Sequence, residues 1–267
     1  MNFLLFLVMT TFASRTFSYK LDDFQIQSMD AIDRREHLLV TAHTGSGKTT
    51  IAEYAVRTAV HRASKVIYTA PIKALSNQIF GDFSRKYPEW NLGIKTGDID
   101  LKSDAQIVIM TTEILHNMLY IDSEYLADHT MVIFDEVHYI KDQERGAVWE
   151  ESIMMMPKHI QMVLLSATLP DADDFCQWIQ DCKGTKVTHC TTTRRVVPLT
   201  HYIMTGQQAG SRSKYLVQDS TEKFYPENFQ LGCKEYQFEP TQLHTIIHQI
   251  PMPALFFSFN QAKCEQF

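Results

Sequence analysis

Two short apolar runs, each followed at once by residues suited to binding phosphate or a metal ion, constrain the fold of this chain most strongly. Residues 38–40 lead into a glycine-rich turn at 41–49, and residues 131–134 lead into Asp135 and Glu136. Apolar runs of this length are typical of strands buried in a parallel sheet. Open α/β sheets bind their ligands at the carboxyl ends of such strands. Together the two segments predict one site for a nucleotide phosphate.

The glycine-rich turn has the residue types that hold a polyphosphate. Its glycines let backbone N–H groups converge on an anion at the start of the next helix, and its lysine adds a full charge. The match to the phosphate-loop pattern is partial, because Ala42 stands where the first glycine is expected. A glycine-softened surface turn with a solvated lysine is the alternative. The predicted nucleotide contacts are Thr44, Gly45, Ser46, Gly47, Lys48 and Thr49.

Paired carboxylates follow the second apolar run. Asp135 is predicted to hold Mg²⁺ through water, together with the Thr49 hydroxyl, because this ion keeps several waters and takes one or two protein carboxylates. Glu136 is predicted to orient and deprotonate the attacking water. A solvated strand end with two acidic residues is the alternative. The phosphate-binding turn earlier in the chain favours the metal site.

Three further apolar runs of strand length lie at residues 66–70, 107–110 and 162–165. Helices are predicted over residues 73–87 and 112–120, where apolar residues recur every three to four positions. Five apolar strands that alternate with helical segments predict an α/β fold with a RecA-like, doubly wound parallel sheet.

The length of 267 residues, with 45% hydrophobic and 21% charged residues, allows one α/β domain and a remainder. We expect a RecA-like ATP-binding domain at 17–195, a linker with partial structure at 196–245, and the start of a second RecA-like domain at 246–267. The last segment is expected to be incomplete, because domains typically have about 100 residues. A genuine truncation and a fragmentary gene prediction are alternatives.

Charge and cysteine content exclude some kinds of partner and site. The net charge is −6, so a surface for nucleic acid must be a local cleft rather than a basic face. The five cysteines are odd in number and none is paired at C-x-x-C spacing, which favours reduced thiols over disulfides or a zinc site. The methionine run at 154–156 is interpreted as core.

The N-terminal segment, residues 1–16, stands apart from this pattern. Residues 1–14 are similar to a secretory signal, with a short apolar core and small residues near Ala13. A basic start is lacking, and the apolar stretch is shorter than the roughly 20 residues that span a bilayer. A misassigned start or a packed strand is favoured over secretion. We therefore expect an intracellular protein, cytoplasmic rather than nuclear, without stable membrane association.

Taken in order, these segments resemble the superfamily 2 DExH-box RNA helicases, most closely the superkiller-like, exosome-associated group. The resemblance rests on the phosphate turn, on the DEVH run at 135–138, and on residues 17–25, which are similar to the group's adenine-recognition motif. By that resemblance Gln25 would hydrogen-bond the adenine edge, and Tyr19 or Phe17 would stack on its ring. The resemblance implies ATP and Mg²⁺ as cofactors.

Three further segments resemble the RNA contacts of that group's first domain, at 70–78, 96–98 and 111–115. Each follows a strand end, where backbone N–H groups, hydroxyls and a lysine can hold phosphates without reading bases. The implied RNA contacts are Pro71, Lys73, Gly97, Thr111, Thr112 and Glu113. Ser166 and Thr168, with His138 as their neighbour, resemble the motif that couples ATP to RNA. A turn or helix cap is the alternative for each segment alone.

The implied function is an ATP-dependent RNA helicase that works in RNA decay or processing. Single-stranded RNA and the exosome with its cofactors are the implied partners, and the implied catalytic residues are Lys48, Asp135, Glu136 and His138. Segments 142–146, 149–151 and 198–203 are similar to features of the superkiller group. The arginine motif of a second domain is absent from these residues, so weak turnover by this chain alone is expected. A catalytically incomplete ATP- and RNA-binding module and a DNA helicase are the alternatives.

Overall fold

The structure is a computed structural model that describes residues 17–121, 123–195, 197–204, 214–235 and 254. The chain divides into two units, residues 1–196 and 197–267. The predicted N-terminal segment, and the predicted start of a second RecA-like domain apart from Ala254, lie outside the described residues. The bounds of the four predicted segments therefore remain predictions.

A single eight-stranded sheet forms the centre of the first unit. Its strands are β1 (His37–Ala42), β2 (Lys65–Ala70), β3 (Leu92–Lys95), β4 (Asp100–Leu101), β5 (Ile107–Thr111), β6 (His129–Phe134), β7 (Gln161–Ser166) and β8 (Val187–Thr192). Their order is β4-β3-β5-β2-β6-β7-β1-β8. All neighbouring strands run parallel except β3 and β4. The predicted parallel α/β sheet is confirmed.

Helices cover both faces of this sheet. They are α1 (Asp23–Asp33), α2 (Lys48–His61), α3 (Lys73–Lys86), α4 (Thr112–Ile121), α5 (Gly146–Met155) and α6 (Ala172–Lys183). Helices α1 to α3 contribute to one buried apolar cluster and α4 to α6 to another. Short 3₁₀ helices follow α4 at Ser123–Leu126 and β6 at Val137–Lys141.

Strand β1 shows why both faces must be covered. Leu38 and Val40 belong to one apolar cluster, whereas Leu39 between them belongs to the other. Successive side chains of a strand point to opposite faces, so a run of apolar residues needs a core on each side. Full burial of one such side chain contributes about 1.5–3 kcal/mol. The apolar run therefore specifies a strand in the middle of a helix-covered sheet.

Three strands of this eight-stranded sheet were not predicted from the sequence. Strand β3 is four residues long and contains Gly93, and β4 has two exposed residues. Strand β8 has the sequence VTHCTT and lies at the edge of the sheet, where only Cys190 is fully buried. Short or polar edge strands lack the apolar run on which the prediction depends.

The second unit contains a small sheet and a helix among its described residues. Strand β9 (His201–Met204) pairs antiparallel with β10 (Lys214–Gln218), and helix α7 (Pro226–Glu235) follows. The segment expected to be a linker with partial structure thus contains three regular elements. Within the described ranges, the helices are too short or too polar to cross a bilayer.

Candidate nucleotide-binding site

The phosphate turn joins the carboxyl end of β1 to the start of α2. Gly45 and Gly47 have φ angles of 81° and 92°, in the left-handed region that favours glycine. A Cβ atom on Gly47 would lie 2.5 Å from Nε2 of Gln25. The backbone conformation therefore favours glycine at position 47, and a larger residue would also displace the Gln25 amide. The turn directs the first N–H groups of α2 toward the sheet edge, as anion binding needs.

Lys48, the first residue of α2, turns its side chain back over the phosphate turn. Its ammonium group donates hydrogen bonds to the carbonyl oxygens of Ala42, at 2.6 Å, and His43, at 3.3 Å. Burial lowers the pKa of Lys48, and the negative charges of Glu136 and Asp135 oppose this shift. The ammonium therefore lies close enough to both carboxylates to feel their charge, at the carboxyl ends of β1 and β6, which have only β7 between them. The structure thus brings the two sequence segments together.

Asp135 is held in one orientation at the end of β6. The Tyr68 hydroxyl donates to Oδ2 at 2.8 Å, and the N–H of Glu136 donates to Oδ1 at 2.9 Å. Burial raises the pKa of Asp135, and the hydrogen bond from Tyr68 opposes the shift. Tyr68 was missed by the sequence analysis, because an apolar strand predicts burial but not which partner its hydroxyl will meet.

Glu136 stands at a sharp change of backbone direction, with φ of 53° in the left-handed region. Its Oε2 lies 3.2 Å from Nδ1 of His138, but the contact lacks hydrogen-bond geometry. Both atoms are buried and have no hydrogen-bond partner in the described part of the chain. The Glu136 carboxylate therefore keeps an acceptor atom that no donor among the described residues satisfies.

Residues of the predicted adenine segment lie against the phosphate turn. Gln25 is 5% exposed; its Nε2 donates to the Gly47 carbonyl at 3.2 Å, and its Oε1 accepts from the Asp22 N–H at 2.9 Å. Tyr19 is half exposed, and its hydroxyl lies 2.9 Å from Oγ1 of Thr50. Much of the hydrogen-bonding capacity of Gln25 therefore holds the turn in place, whereas the Tyr19 ring stays accessible.

The turn retains polar groups that a bound phosphate would satisfy. The Ser46 hydroxyl is buried without a hydrogen-bond partner among the described residues. Thr44, Gly45 and Thr49 are exposed at the same turn. The described residues contain no cluster of three or more His, Cys, Asp or Glu side chains placed to hold a metal. A metal ion here would instead depend on Thr49, Asp135, water and the phosphates, a donor set that suits Mg²⁺.

The predicted RNA contacts form two groups beside this site. In the first, Lys73 pairs with Asp98 at 2.6 Å, and a Cβ atom on Gly97 would lie 3.2 Å from the Lys73 ammonium. Both members of the ion pair are more than half exposed. An exposed pair of this kind is held weakly, so a phosphate group can displace the Asp98 carboxylate.

The second group is assembled by Arg145, a residue to which the sequence assigned no role. Its Nε donates to Oε1 of Glu113 at 3.0 Å, and Nη2 donates to the same carboxylate and to the Pro71 carbonyl. The guanidinium also lies over the rings of Tyr139 and Trp149. Arg145 therefore ties two predicted RNA segments to the loop that follows the DEVH run.

Among the remaining predicted residues, Thr168 is exposed, whereas Thr111, Thr112 and Ser166 are buried. Thr111 and Thr112 are buried, and the Thr112 hydroxyl has no hydrogen-bond partner among the described residues. Their burial does not favour direct contact of these hydroxyls with RNA. Ser166 is fully buried at the end of β7, which lies between β1 and β6, and its hydroxyl donates to the Thr168 carbonyl at 3.2 Å. It lies directly between the two halves of the nucleotide site.

Fold and turn together place this chain in the class of P-loop nucleotide-binding domains, because a phosphate turn leaves a central parallel strand and opens a helix. At the level of sequence, residues 22–175 match the DEAD/DEAH box helicases. That match covers more than half of the 267 residues. The chain belongs to this family, as the motifs predicted.

Known relatives point to the same group. Superkiller complex protein 2 of Homo sapiens is 37% identical over 276 residues, covering 93% of this chain and 22% of that protein. Exosome RNA helicase MTR4 of Homo sapiens is 36% identical over 276 residues, covering 96% of this chain and 26% of that protein. The predicted resemblance to the superkiller-like group is confirmed. The chain spans about a quarter of the length of these curated relatives.

A solved structure supports the fold independently. The crystal structure of the DUF1998 helicase MrfA bound to DNA aligns with a TM-score of 0.56, 15% identity, and coverage of 69% of this chain and 29% of that chain. At this identity the similarity concerns the fold alone.

Proposed function

We propose that this chain is the ATP-binding domain of a DExH-box, ATP-dependent RNA helicase that acts in RNA decay or processing with the exosome. The observation that supports the proposal most directly is the proximity of the Lys48 ammonium, at the end of β1, to Asp135 and Glu136, at the end of β6. The name of one relative, exosome RNA helicase MTR4, supports RNA and the exosome as partners.

ATP binding depends on the phosphate turn and the adenine segment. The backbone N–H groups around Gly45, Ser46 and Gly47 surround the phosphates, and Lys48 exchanges its contacts to carbonyl oxygens for contacts to phosphate oxygens. Tyr19 stacks on the adenine. Gln25 uses its remaining hydrogen-bonding capacity on the adenine edge while it holds Gly47.

Hydrolysis depends on the carboxylate pair. Glu136, whose Oε2 lacks a hydrogen-bond donor among the described residues, orients the attacking water and accepts its proton. Asp135, fixed by Tyr68, and the Thr49 hydroxyl hold Mg²⁺. The metal ion, when bound, neutralises charge on the phosphate oxygens. His138 stands beside Glu136 and, with Ser166 and Thr168, couples this site to the RNA groove.

RNA binds along the carboxyl edge of β2, β3 and β5. Lys73 and the backbone near Gly97 contact phosphates, and the segments that carry Pro71, Thr111, Thr112 and Glu113 shape the groove. Contacts of this kind hold the RNA backbone without selecting a sequence. A motor that moves along any RNA needs this property.

Turnover by these 267 residues alone is expected to be slow. DExH-box helicases complete the ATP site with arginines of a second RecA-like domain, and an arginine finger contributes about 10³ to 10⁵ in rate. Such a factor corresponds to roughly 4–7 kcal/mol of activation free energy. RNA-stimulated hydrolysis at the rate of a full-length relative would contradict this expectation.

The location of the protein is proposed to be intracellular, with the cytoplasm favoured over the nucleus. The four cysteines among the described residues are free thiols, and reduced thiols are typical of proteins inside the cell. Fluorescence microscopy of the tagged protein tests this location.

Binding of a fluorescent ATP analogue with Mg²⁺ tests the nucleotide site. We expect Lys48→Ala to weaken binding at least about tenfold, or ~1.4 kcal/mol, whereas Arg85→Ala, a loss of charge on exposed α3, should leave it unchanged. Equal affinities of wild type and Lys48→Ala would refute the proposed site. Competition between RNA and DNA strands of equal length then tests the nucleic-acid substrate. A preference for DNA would contradict the assignment as an RNA helicase and support the alternative of a DNA helicase.

A further inference from the structure

A second cavity lies at the opposite edge of the sheet from the phosphate turn. Its volume is about 280 Å³, and it is formed where strands begin: His37 starts β1 and Gln161 starts β7. Strand β1 has six residues, and strands rise about 3.3 Å per residue. The cavity is therefore separated from the phosphate turn by the length of a strand, roughly 20 Å.

The lining of this cavity is cationic. Arg35, Arg62 and Lys158 contribute to it, together with His37 and His159, and none of its lining residues is acidic. This is unusual for a chain with a net charge of −6. Arg62 pairs with Asp33 at 3.6 Å, but neither Arg35 nor Lys158 has an ion pair in the part of the chain that the structure describes. The cavity therefore keeps uncompensated positive charge.

Buried groups behind the cavity add to this charge. Lys183 is 5% exposed, and its ammonium group donates to the carbonyl oxygens of Met154, at 2.8 Å, and Met156, at 2.6 Å. Burial lowers the pKa of Lys183; the interaction with Cys182 opposes this shift, and the positive charge of Lys158 adds a smaller contribution in the lowering direction. The two lysines therefore repel each other, and no carboxylate pairs with either of them within the described ranges.

His37 supplies an unused donor at the cavity wall. Its Nδ1 accepts a hydrogen bond from the Met162 N–H at 3.0 Å, so the proton of the neutral ring is on Nε2. That Nε2 is buried and has no hydrogen-bond partner among the described residues. Burial, and to a lesser degree the charge of Lys183, lowers the pKa of His37 to about 4. A buried donor without an acceptor costs free energy and needs a structural reason.

We propose that this cationic pocket binds a compact phosphorylated anion of the size of a free diphosphate. Two guanidinium groups can each meet phosphate oxygens through two N–H donors, and Lys158 adds a third charge. The volume exceeds that needed for one phosphate group. An anion in the pocket offsets the positive charges of Lys158 and Lys183 and lies beside the wall that contains His37. The pocket is separate from the nucleotide site, so the inference stands whether or not the proposed function holds.

Titration of the 267-residue chain with inorganic pyrophosphate tests this site. Mg·ADP is kept saturating so that the phosphate turn is occupied, and the imidazole resonances of His37 and His159 are followed by NMR. We expect saturable shifts of both resonances, and roughly tenfold weaker binding in the double variant Arg35→Ala/Lys158→Ala. The double variant Arg85→Ala/Lys102→Ala removes the same charge from exposed positions elsewhere and should bind as wild type does.

Several outcomes would overturn the inference. Absence of saturable shifts in the wild type would mean that the pocket does not bind pyrophosphate. Equal weakening in both double variants would mean that the protein attracts the anion only through its general charge. Thermal unfolding guards against a folding defect, because a bound anion stabilises the folded state. Pyrophosphate should raise the melting temperature of the wild type and of Arg85→Ala/Lys102→Ala, but not of Arg35→Ala/Lys158→Ala. A similar rise in all three proteins would also contradict the site.

Discussion

Burial raises the pKa of Asp135, and the hydrogen bond from Tyr68 offsets only part of this effect. A carboxyl group whose pKa is higher in the folded than in the unfolded state favours folding when it is protonated. That stabilisation is present below the unfolded pKa and is lost as the pH rises through the folded pKa. At neutral pH the raised pKa of Asp135 therefore lowers the free energy of unfolding, a cost that is typical of residues at functional sites.

The substitution Asp135→Asn separates the effect of the buried carboxylate on stability from its proposed role in nucleotide binding. The amide oxygen still accepts from the Glu136 N–H, and the amide N–H₂ can donate to the Tyr68 oxygen, while no buried charge remains. We therefore expect a higher free energy of unfolding at pH 7 in the absence of nucleotide. Binding of Mg·ATP should weaken by roughly tenfold. Urea denaturation and nucleotide titration measure the two effects. Loss of stability together with loss of binding would show that Asp135 is mainly structural.

No role was assigned to Arg145 from the sequence, and this residue allows a test of the proposed RNA groove. Arg145→Ala removes the hydrogen bonds to Pro71 and Glu113, so we expect affinity for single-stranded RNA to fall roughly tenfold. Nucleotide affinity should stay within about twofold. Arg145→Lys keeps the charge but not the paired N–H geometry. Its affinity for RNA should therefore lie between those of the wild type and Arg145→Ala. Fluorescence anisotropy with labelled RNA measures the effect.

Two outcomes of that experiment are distinguishable. If the wild type binds no RNA, the proposed function fails. If it binds RNA and Arg145→Ala binds equally well, only the positioning role of Arg145 fails.

At the scale of elements, the start of α5 depends on a backbone contact. A Cβ atom on Gly146 would lie 2.3 Å from the Ile140 carbonyl oxygen. Because the clash is with backbone rather than with a flexible side chain, we expect Gly146→Ala to lower the free energy of unfolding by about 1–3 kcal/mol. The control is Gly81→Ala in α3, where nothing lies within 4 Å; this change should raise stability by about 0.5–1 kcal/mol. Chemical denaturation compares the free energies of unfolding of the two variants. Equal changes in both would contradict the close contact at Gly146.

The strands of the sheet differ in how well the sequence predicts them. The apolar runs that became β1, β2, β5, β6 and β7 were identified, because each is buried on both faces and therefore contains few polar residues. Strand β8 was missed, since its alternation of threonine with His189 and Cys190 resembles a polar loop. It becomes a strand because β1 offers it an unpaired edge, with Leu39 opposite His189 and Val40 opposite Cys190.

For the molecule as a whole, two buried histidines make stability depend on pH. Burial lowers the pKa of His37 and of His129 to about 4. The unfolded chain therefore takes up two protons below pH 6.5 that the folded chain does not bind until about pH 4. The free energy of unfolding is expected to fall across this window as the pH falls, by up to about 1.4 kcal/mol per pH unit for each histidine.

Glutamine substitutions remove this dependence. We expect His37→Gln/His129→Gln to flatten the change in unfolding free energy between pH 7 and pH 5, measured by urea denaturation. His159→Gln, at an exposed position, serves as the control and should keep the wild-type slope. An unchanged slope in the double variant would mean that other groups control the acid sensitivity.

The amino-acid sequence by itself determined the local units of this protein. The apolar run at 38–40 is followed directly by the glycine turn and Lys48, and the run at 131–134 is followed directly by Asp135 and Glu136. Residues that are contiguous in the chain stay close to each other however the rest of the chain folds. Tertiary structure alone decided which distant residues meet. Arg145 reaches Pro71, 74 positions away, and the cationic pocket combines residues from Arg35 to Thr185. Such contacts depend on strand order and helix placement, which no local pattern contains.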